Sequence, residues 1–158
     1  MRTLNKIYIH CTATTGDDAG DVDVETVRRW HVSDPRNWTD IGYHFLIRRD
    51  GDVEVGRSIE RAGAHVKGKN AYSIGVAYSG GINAVTGLEW DTRTPEQKKS
   101  LKTLVNALRE VFPSITSVHG HNEVDPAKSC PCFNVSAEFI EFNRVARACP
   151  KPCTCGET

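Results

Sequence analysis

The sequence predicts one α/β domain in which a central mixed β-sheet is flanked by helices. Short apolar segments with strand-like alternation occur between longer segments whose apolar side chains recur at helical spacing. The 158 residues are 39% hydrophobic and 25% charged, the balance of a globular chain with one core. Because we find no internal repeat and no linker, we assign residues 1–147 to one domain and residues 148–158 to a flexible C-terminal tail that contains Cys and Pro.

The N-terminal part predicts a strand followed by a helix. Residues 5–11 alternate, with Ile7 and Ile9 on one face and His10 on the other, which is typical of a half-buried strand. After a polar loop, apolar side chains at helical spacing predict a helix over residues 24–31.

The middle of the chain predicts a β-hairpin and a further strand. Strand Tyr43–Arg49 alternates, the pair Asp50-Gly51 favours a tight turn, and residues 53–55 return. Residues 73–81 form another apolar strand that runs into a glycine-rich loop.

Two helices and a strand are predicted in the C-terminal half. Thr94 is a favourable N-cap for a helix whose first turn contains Pro95 and which Pro113 ends. Residues 115–119 have the composition of a strand, and Ser136 is placed as the cap of a last helix that extends to Arg147.

The charge and the hydropathy pattern exclude several functional classes. The formal net charge is +0, with 20 basic and 20 acidic residues, so we do not expect nucleic acid as a partner. No apolar stretch approaches the length of a membrane span. The N-terminus lacks the apolar core of a signal peptide, so we expect accumulation in the cytoplasm unless another system exports the protein. Nothing indicates an oligomer, and we expect a monomer.

Two short strings concentrate residues that can bind a metal. His10 lies in KIYIHCTAT, and His121 and Cys130 lie in VHGHNEVDPAKSC. Two imidazoles and a thiolate can occupy three corners of a tetrahedral zinc site and leave the fourth open, as in catalytic sites. His119 could replace His121, because strand alternation puts both on one face, and Cys132 could replace Cys130.

A zinc hydrolase needs more than its metal ligands. Zinc lowers the pKa of a water molecule that it binds and polarises a carbonyl group, but a further group must orient the nucleophile and a cation should lie near the developing oxyanion. Tyr43 and Lys128 are candidates for these two tasks. The alternatives are a packed sheet aromatic for Tyr43 and a solvated loop charge for Lys128. We assign His31 and His44 to structural roles.

Six segments of the chain carry a resemblance to one known family. They are HCTAT (10–14), RRWH (28–31), GYHFLIRRDG (42–51), GAHVKGKN (63–70), SIGV (73–76) and HNEVDPAKSCPCF (121–133). In this order they resemble the zinc N-acetylmuramoyl-L-alanine amidases of the phage-lysozyme type, which belong to the superfamily of the peptidoglycan recognition proteins. The resemblance runs from about residue 5 to residue 147.

The resemblance implies a mixed sheet with zinc in a surface groove. It also implies cleavage of the amide between N-acetylmuramic acid and L-alanine, with peptidoglycan or a muropeptide as substrate. His10, His121 and Cys130 match the zinc ligands, and the product would act on the cell wall after release or delivery, as an endolysin does.

Three further positions follow from the resemblance. Tyr43 matches the tyrosine that faces the reactive water, and Lys128 matches the lysine that stabilises the tetrahedral intermediate. His65 resembles a groove residue that contacts substrate.

The chain departs from the family pattern at Cys132, where the phage enzymes commonly have a residue without a thiol, and by one extra residue between His121 and Cys130.

Two other functions remain compatible with the sequence. One is a non-catalytic module that binds peptidoglycan on the same scaffold, and the other is a cytoplasmic amidase that recycles soluble muropeptides. The tail thiols Cys149, Cys153 and Cys155 could form part of a second metal site, a disulfide or an unstructured end.

Overall fold

The computed structural model describes residues 2–148 and is built around one five-stranded sheet. The strand order is β4-β3-β5-β1-β7, with β4 antiparallel to β3 and all other neighbours parallel. A second sheet pairs two short parallel strands, β2 and β6. The strands are β1 (Lys6–Cys11), β2 (Thr14–Thr15), β3 (Phe45–Ile47), β4 (Val53–Val55), β5 (Ser73–Tyr78), β6 (Gly81–Ile82) and β7 (Ser117–Gly120).

Four α-helices accompany the sheets. They are α1 (Val24–Val32), α2 (Pro95–Val111), α3 (Val135–Glu138) and α4 (Ile140–Ala148). Short 3-10 turns cover Asp18–Gly20, Asn70–Tyr72 and His121–Glu123. None of the described helices combines the length and the apolarity needed to cross a membrane. The predicted α/β class with a mixed central sheet is confirmed; the tail from Cys149 onward lies outside the described residues.

The first strand is buried on both faces, so the prediction of a half-buried strand is wrong. β1 lies between β5 and β7, where neighbouring strands and the layers above and below cover it. Ile7 and Ile9 are fully buried, but Tyr8 and His10 on the opposite face are only 1% exposed. His10 therefore projects into the protein instead of into bulk water.

The two faces of the sheet differ in chemistry. One face is a continuous apolar core, in which the side chains of β1 and β5 pack against Leu101 and Val105 of α2 and against Phe139 and Phe142. The other face carries a smaller apolar cluster around α1 and leaves room for polar side chains next to it. The candidate functional residues lie on this second face.

The predicted hairpin is present but shorter than expected. β3 begins at Phe45, so Tyr43 lies just before the strand and not within it. Its backbone still belongs to the hairpin, because the carbonyl of Tyr43 accepts the N–H of Arg57 at 2.9 Å. The aromatic ring packs beside the apolar cluster of the α1 face and is half-buried.

The helix caps confirm one prediction and correct another. Thr94 caps α2 through a reciprocal pair of hydrogen bonds with Gln97, as a capping box does. The last predicted helix is divided into two, and the N-cap is Asn134, whose side chain accepts the N–H of Ala137. Ser136 lies inside α3 and donates its hydroxyl to Glu123 instead.

Two buried histidines support the backbone of the polar face. His31 Nδ1 accepts the N–H of Gly42 and His44 Nδ1 accepts the N–H of Gly75, each at 2.9 Å. Burial lowers the pKa of each imidazole to about 4. Protonation would remove the acceptor that each backbone amide uses, so both rings are kept neutral in the folded protein.

We predict that acid destabilises the fold partly through His44. The unfolded chain binds a proton near pH 6.5 and the folded chain only near pH 4, so stability is lost as the pH falls through 6.5. Between pH 7.5 and 5 the parent should lose about 2 kcal/mol more stability than His44→Gln, whose amide oxygen can still accept a backbone N–H. Urea unfolding of both proteins in the presence of a chelator measures this difference, and parallel pH profiles would contradict the prediction.

Candidate metal centre and groove

The parallel register of β1 and β7 brings two histidines together. Tyr8 lies opposite His119, and Ile9 lies opposite Gly120. One step further along, His121 follows the end of β7 level with His10, and the two imidazole rings are 4.8 Å apart between centroids. Because parallel strands end at the same edge of a sheet, both side chains lie at the carboxyl edge, where open α/β sheets commonly place their sites.

The loop from His121 to Cys130 returns the thiol to the same edge. The N–H of Asn122 donates to the carbonyl of Cys130 at 2.8 Å, which closes the loop. The N–H of Cys11 donates to Cys130 Sγ at 3.2 Å, which ties the sulfur to the end of β1. The buried hydroxyl of Tyr78 donates to the carbonyl of Pro131 at 2.7 Å. The thiol is therefore positioned by β1 and β5, although it lies on a loop.

The three side chains have a geometry that suits a tetrahedral metal. Their ligand atoms lie within 4.8 Å of one another, and Cys130 Sγ lies 3.8 Å from His10 Nδ1. Zinc bonds of about 2.0–2.3 Å place two ligand atoms of a tetrahedron roughly 3.3–3.8 Å apart. The donor set and its spacing thus fit zinc after a side-chain adjustment of about 1 Å.

The two alternative ligands are directed elsewhere. His119 lies beside Tyr8, one pleat behind the cluster, and its Nδ1 contacts Glu123 at 2.9 Å. Glu123 therefore contacts His119 and not a residue of the cluster. Cys132 donates to the carbonyl of Gly81 at 3.4 Å, and contact with Cys11 together with burial raises the pKa of its thiol. A protonated thiol is a poor metal ligand.

A chain of hydrogen bonds favours the tautomer of His10 in which Nδ1 is free. Ser73 Oγ donates to the carbonyl of Lys69 at 2.9 Å, so it can accept from His65 Nε2 at 3.5 Å. His65 Nδ1 is then the acceptor for His10 Nε2–H at 3.1 Å. This arrangement leaves His10 Nδ1 without a proton, and Nδ1 is the atom that faces Cys130.

Burial supports the same protonation state. Burial lowers the pKa of His10 and of His65 well below the usual value, and the neighbouring imidazoles add to the effect. The pKa of His121 is lowered as well, mainly by burial. All three rings are therefore neutral at pH 7, which is the form that binds a metal.

The position of His65 depends on a glycine in the adjacent strand. A Cβ atom on Gly75 would lie 2.6 Å from the ring of His65, which is closer than non-bonded carbon atoms approach in proteins. Glycine at this point of β5 lets the imidazole lie directly on the strand and reach His10.

The cluster opens into a continuous groove. A cavity of about 350 Å³ above the cluster is lined by Cys130 and Tyr43, and a neighbouring cavity of about 520 Å³ leads past Asn70 and Asp125. The two cavities share Trp38, Ala64, His65, His121 and Lys128. A chain-like substrate can thus cross the cluster and extend along the groove.

Tyr43 and Lys128 both line this groove. Burial, followed by the nearby Cys130 and Cys11, raises the pKa of the Tyr43 phenol, so the hydroxyl keeps its proton. Lys128 is exposed at the rim, on a turn in which its N–H donates to the carbonyl of Asp125 at 3.0 Å. One side chain supplies a neutral hydrogen-bonding group and the other an exposed positive charge.

Sequence reasoning missed several features of the site. It placed His65 in the groove but not in contact with His10, because 55 residues separate them along the chain. Trp38 and Arg36 also line the groove from the loop after α1. These loop residues follow no periodic pattern, so no sequence signal marks them.

The fold and the cluster define a class of protein. An α/β domain with two neutral imidazoles and a thiol at the edge of its sheet, in an open groove, is typical of a metal-dependent hydrolase.

The chain is similar in sequence to one protein family and to individual proteins. The sequence profile of the N-acetylmuramoyl-L-alanine amidase family matches residues 1–133. An endolysin of Enterobacteria phage K11 is 40% identical over 131 residues, which cover 83% of this chain and 82% of that protein. Peptidoglycan-recognition protein SC1a of Drosophila melanogaster is 36% identical over 118 residues, covering 73% of this chain and 60% of that protein.

A solved amidase structure has a similar fold. The N-acetylmuramoyl-L-alanine amidase LysC from Clostridium intestinale URNW superposes with a TM-score of 0.71 at 30% identity, covering 92% of this chain and 87% of that one. The chain belongs to the N-acetylmuramoyl-L-alanine amidase family. The predicted family, the α/β fold and the assignment as a peptidoglycan-cleaving amidase are confirmed.

We predict that zinc affinity depends on Cys130 and not on Cys132. Cys130→Ser should lower zinc affinity by more than about 100-fold, since even the loss of a residue that supports a ligand costs roughly 10–100-fold. Cys132→Ser is the matched control and should bind zinc as the parent does. Competition with a chromophoric chelator measures all three constants. Equal losses in the two variants, or a larger loss in Cys132→Ser, would contradict this choice of ligand.

Proposed function

We propose that the chain hydrolyses the amide between N-acetylmuramic acid and L-alanine with a zinc ion held by His10, His121 and Cys130. The observation that supports this most strongly is the convergence of the three ligand atoms within 4.8 Å at the floor of the groove. Zinc at this position would acidify a water molecule and polarise the scissile carbonyl group.

In this proposal Tyr43 orients the attacking water. Its ring lies 5.2 Å from that of His10 and 5.4 Å from that of His31, so the phenol is fixed from two sides. Because the raised pKa keeps the hydroxyl protonated, Tyr43 can accept from the water and donate to the substrate, but it does not act as an anionic base.

Lys128 stabilises the oxyanion that forms on the amide carbonyl. Its position at the rim, next to both parts of the groove, lets the ammonium group reach a bound substrate without being buried in the free protein. A cation that approaches only when negative charge develops stabilises the transition state more than the ground state.

His65 acts by positioning His10 and not through a free ring nitrogen. Both of its nitrogens have protein partners, so the imidazole can contact substrate only through its carbon edge. This sharpens the role that the resemblance implied for His65, because the residue lines the groove and also holds His10 in the tautomer that presents Nδ1.

The substrate that we propose is the peptidoglycan of the cell wall. Its support is the open groove, which passes the cluster and admits a long polymer, together with the similarity to phage endolysins. We propose action on the cell wall after release or delivery, with whole sacculi as better substrates than soluble muropeptides.

Removal of either groove side chain should slow the reaction. We predict that Tyr43→Phe and Lys128→Met each lower kcat by about 10²–10³-fold, because each removes one oriented polar group from the transition state. Mass spectrometry of digested sacculi should show new L-alanine amino termini for the parent. Zinc content should stay at the parent level in both variants. If a variant keeps the parental kcat, the residue that was replaced does not have the proposed role.

The type of substrate can be tested with the same enzyme. Whole sacculi and soluble muropeptides are compared at equal concentrations of scissile amide. A kcat/KM that is higher for sacculi supports the cell-wall role, whereas a preference for soluble fragments identifies a recycling amidase. New reducing sugar ends instead of amino termini would mean that the enzyme is a glycosidase.

Loss of the hydrogen-bond chain should weaken zinc binding before any substrate is present. We predict that His65→Ala lowers zinc affinity by roughly 10–100-fold, and Ser73→Ala by less, because Ser73 acts one step further away. Nitrogen-15 NMR of the metal-free protein should show His10 protonated at Nε2 in the parent and as a mixture of tautomers in His65→Ala. An unchanged tautomer together with unchanged affinity would remove His65 from this role.

A further inference from the structure

Three thiols meet at the end of β1. Cys11 is buried against the apolar core, its N–H is bonded to Cys130 Sγ, and its own sulfur lies 3.9 Å from Cys132 Sγ. Residues 2–148 contain these three cysteines, and none of them is in a disulfide. Two sulfurs this close, on segments separated by 121 residues, are not explained by the candidate metal site.

The three sulfurs have different surroundings. Cys130 Sγ faces His10 Nδ1 at 3.8 Å and belongs to the metal cluster. Cys11 and Cys132 instead face each other under the backbone of Gly81, where an added Cβ would lie 2.6 Å from Cys11 Sγ. A disulfide bond of about 2.05 Å requires the two sulfurs, now 3.9 Å apart, to approach by roughly 2 Å.

We propose that Cys11 and Cys132 form an oxidation site, at which a small disulfide such as oxidised glutathione converts the two thiols into an intramolecular disulfide. Cys130 is spared in this reaction, a part of the proposal that rests on its role as the metal ligand. The phage enzymes commonly have a residue without a thiol at this position, and the proposal gives the thiol of Cys132 a chemical function.

The reaction proceeds by two exchanges. Cys132 is half-buried and Cys11 is buried, so of these two thiols Cys132 is the more accessible to the oxidant. Contact with Cys11 and burial raise the pKa of the Cys132 thiol, so only a small deprotonated fraction reacts and the exchange is slow. In that fraction Cys132 Sγ attacks one sulfur of oxidised glutathione, and one glutathione leaves as a thiolate that takes up a proton. Cys11 Sγ then loses its proton and attacks Cys132 Sγ, which releases the second glutathione. The protein loses two hydrogen atoms, and one oxidised glutathione becomes two reduced ones.

The new bond would fasten the end of β1 to the segment that follows Cys130. His10 and Cys130 would then be held by a covalent link between Cys11, the residue after His10, and Cys132, two residues after Cys130. Closing a long loop lowers the entropy of the unfolded chain, so the oxidised protein should have a Tm higher by roughly 5–15 °C.

The test uses the full chain with Cys149→Ser, Cys153→Ser and Cys155→Ser, which leaves the three thiols of residues 2–148. Zinc-loaded and chelator-treated samples are incubated with oxidised glutathione, alkylated, digested with trypsin and analysed by mass spectrometry. Cys130 and Cys132 fall in the same tryptic peptide, 129–144, so fragmentation at the bond before Pro131 must distinguish them. Cys132→Ser is the matched control.

We expect the count of free thiols to fall from three to one, with peptide 7–28 linked through Cys132 and with Cys130 alkylated. Cys132→Ser should show neither this link nor the rise in Tm. A link through Cys130, or alkylation of all three thiols after incubation, would overturn the proposal. Because the link is also measured without metal, failure of zinc binding and failure of disulfide formation give different results.

Discussion

The parallel pairing of β1 with β7 is the constraint on which the rest of the site depends. This register places His121 level with His10, and a shift of two residues would bring His119 to the cluster instead. The loop from His121 to Cys130 returns the thiol of Cys130 to the same edge of the sheet. There the N–H of Cys11 donates to Cys130 Sγ and fixes the position of the third ligand. The sheet, not the loop, therefore determines where the three ligand atoms meet.

The polar floor of the groove is supported by the apolar core on the other side of the sheet. His10, His44 and His65 are all less than 8% exposed, and burial keeps them neutral. Unpaired polar groups at this depth would destabilise the fold, but each of these rings has a hydrogen-bond partner. The same bonds that stabilise the protein fix the tautomer of His10, so stability and function share one network.

Much of the fold could be predicted from the sequence, because the alternation of β1 and the helical spacing of α2 are strong local signals. The donor chemistry of two short strings predicted the three cluster residues and the family resemblance matched them, whereas alternation alone left His119 and His121 equivalent until the register was known. The burial of both faces of β1, the contact of His65 with His10 and the pairing of β2 with β6 depend on distant residues. The last helix divides at Phe139, a buried core residue, without a glycine or proline that would mark the division in the sequence.

A crystal structure of the zinc-loaded full chain, with anomalous data collected at the zinc absorption edge, tests the central claim most directly. We predict one strong zinc peak bound by His10 through Nδ1, by His121 and by Cys130, with His65 still bonded to His10 Nε2. Zinc bound between Cys11 and Cys132, or bound to His10 through Nε2 with His65 displaced, would contradict both the choice of ligands and the role of the hydrogen-bond chain.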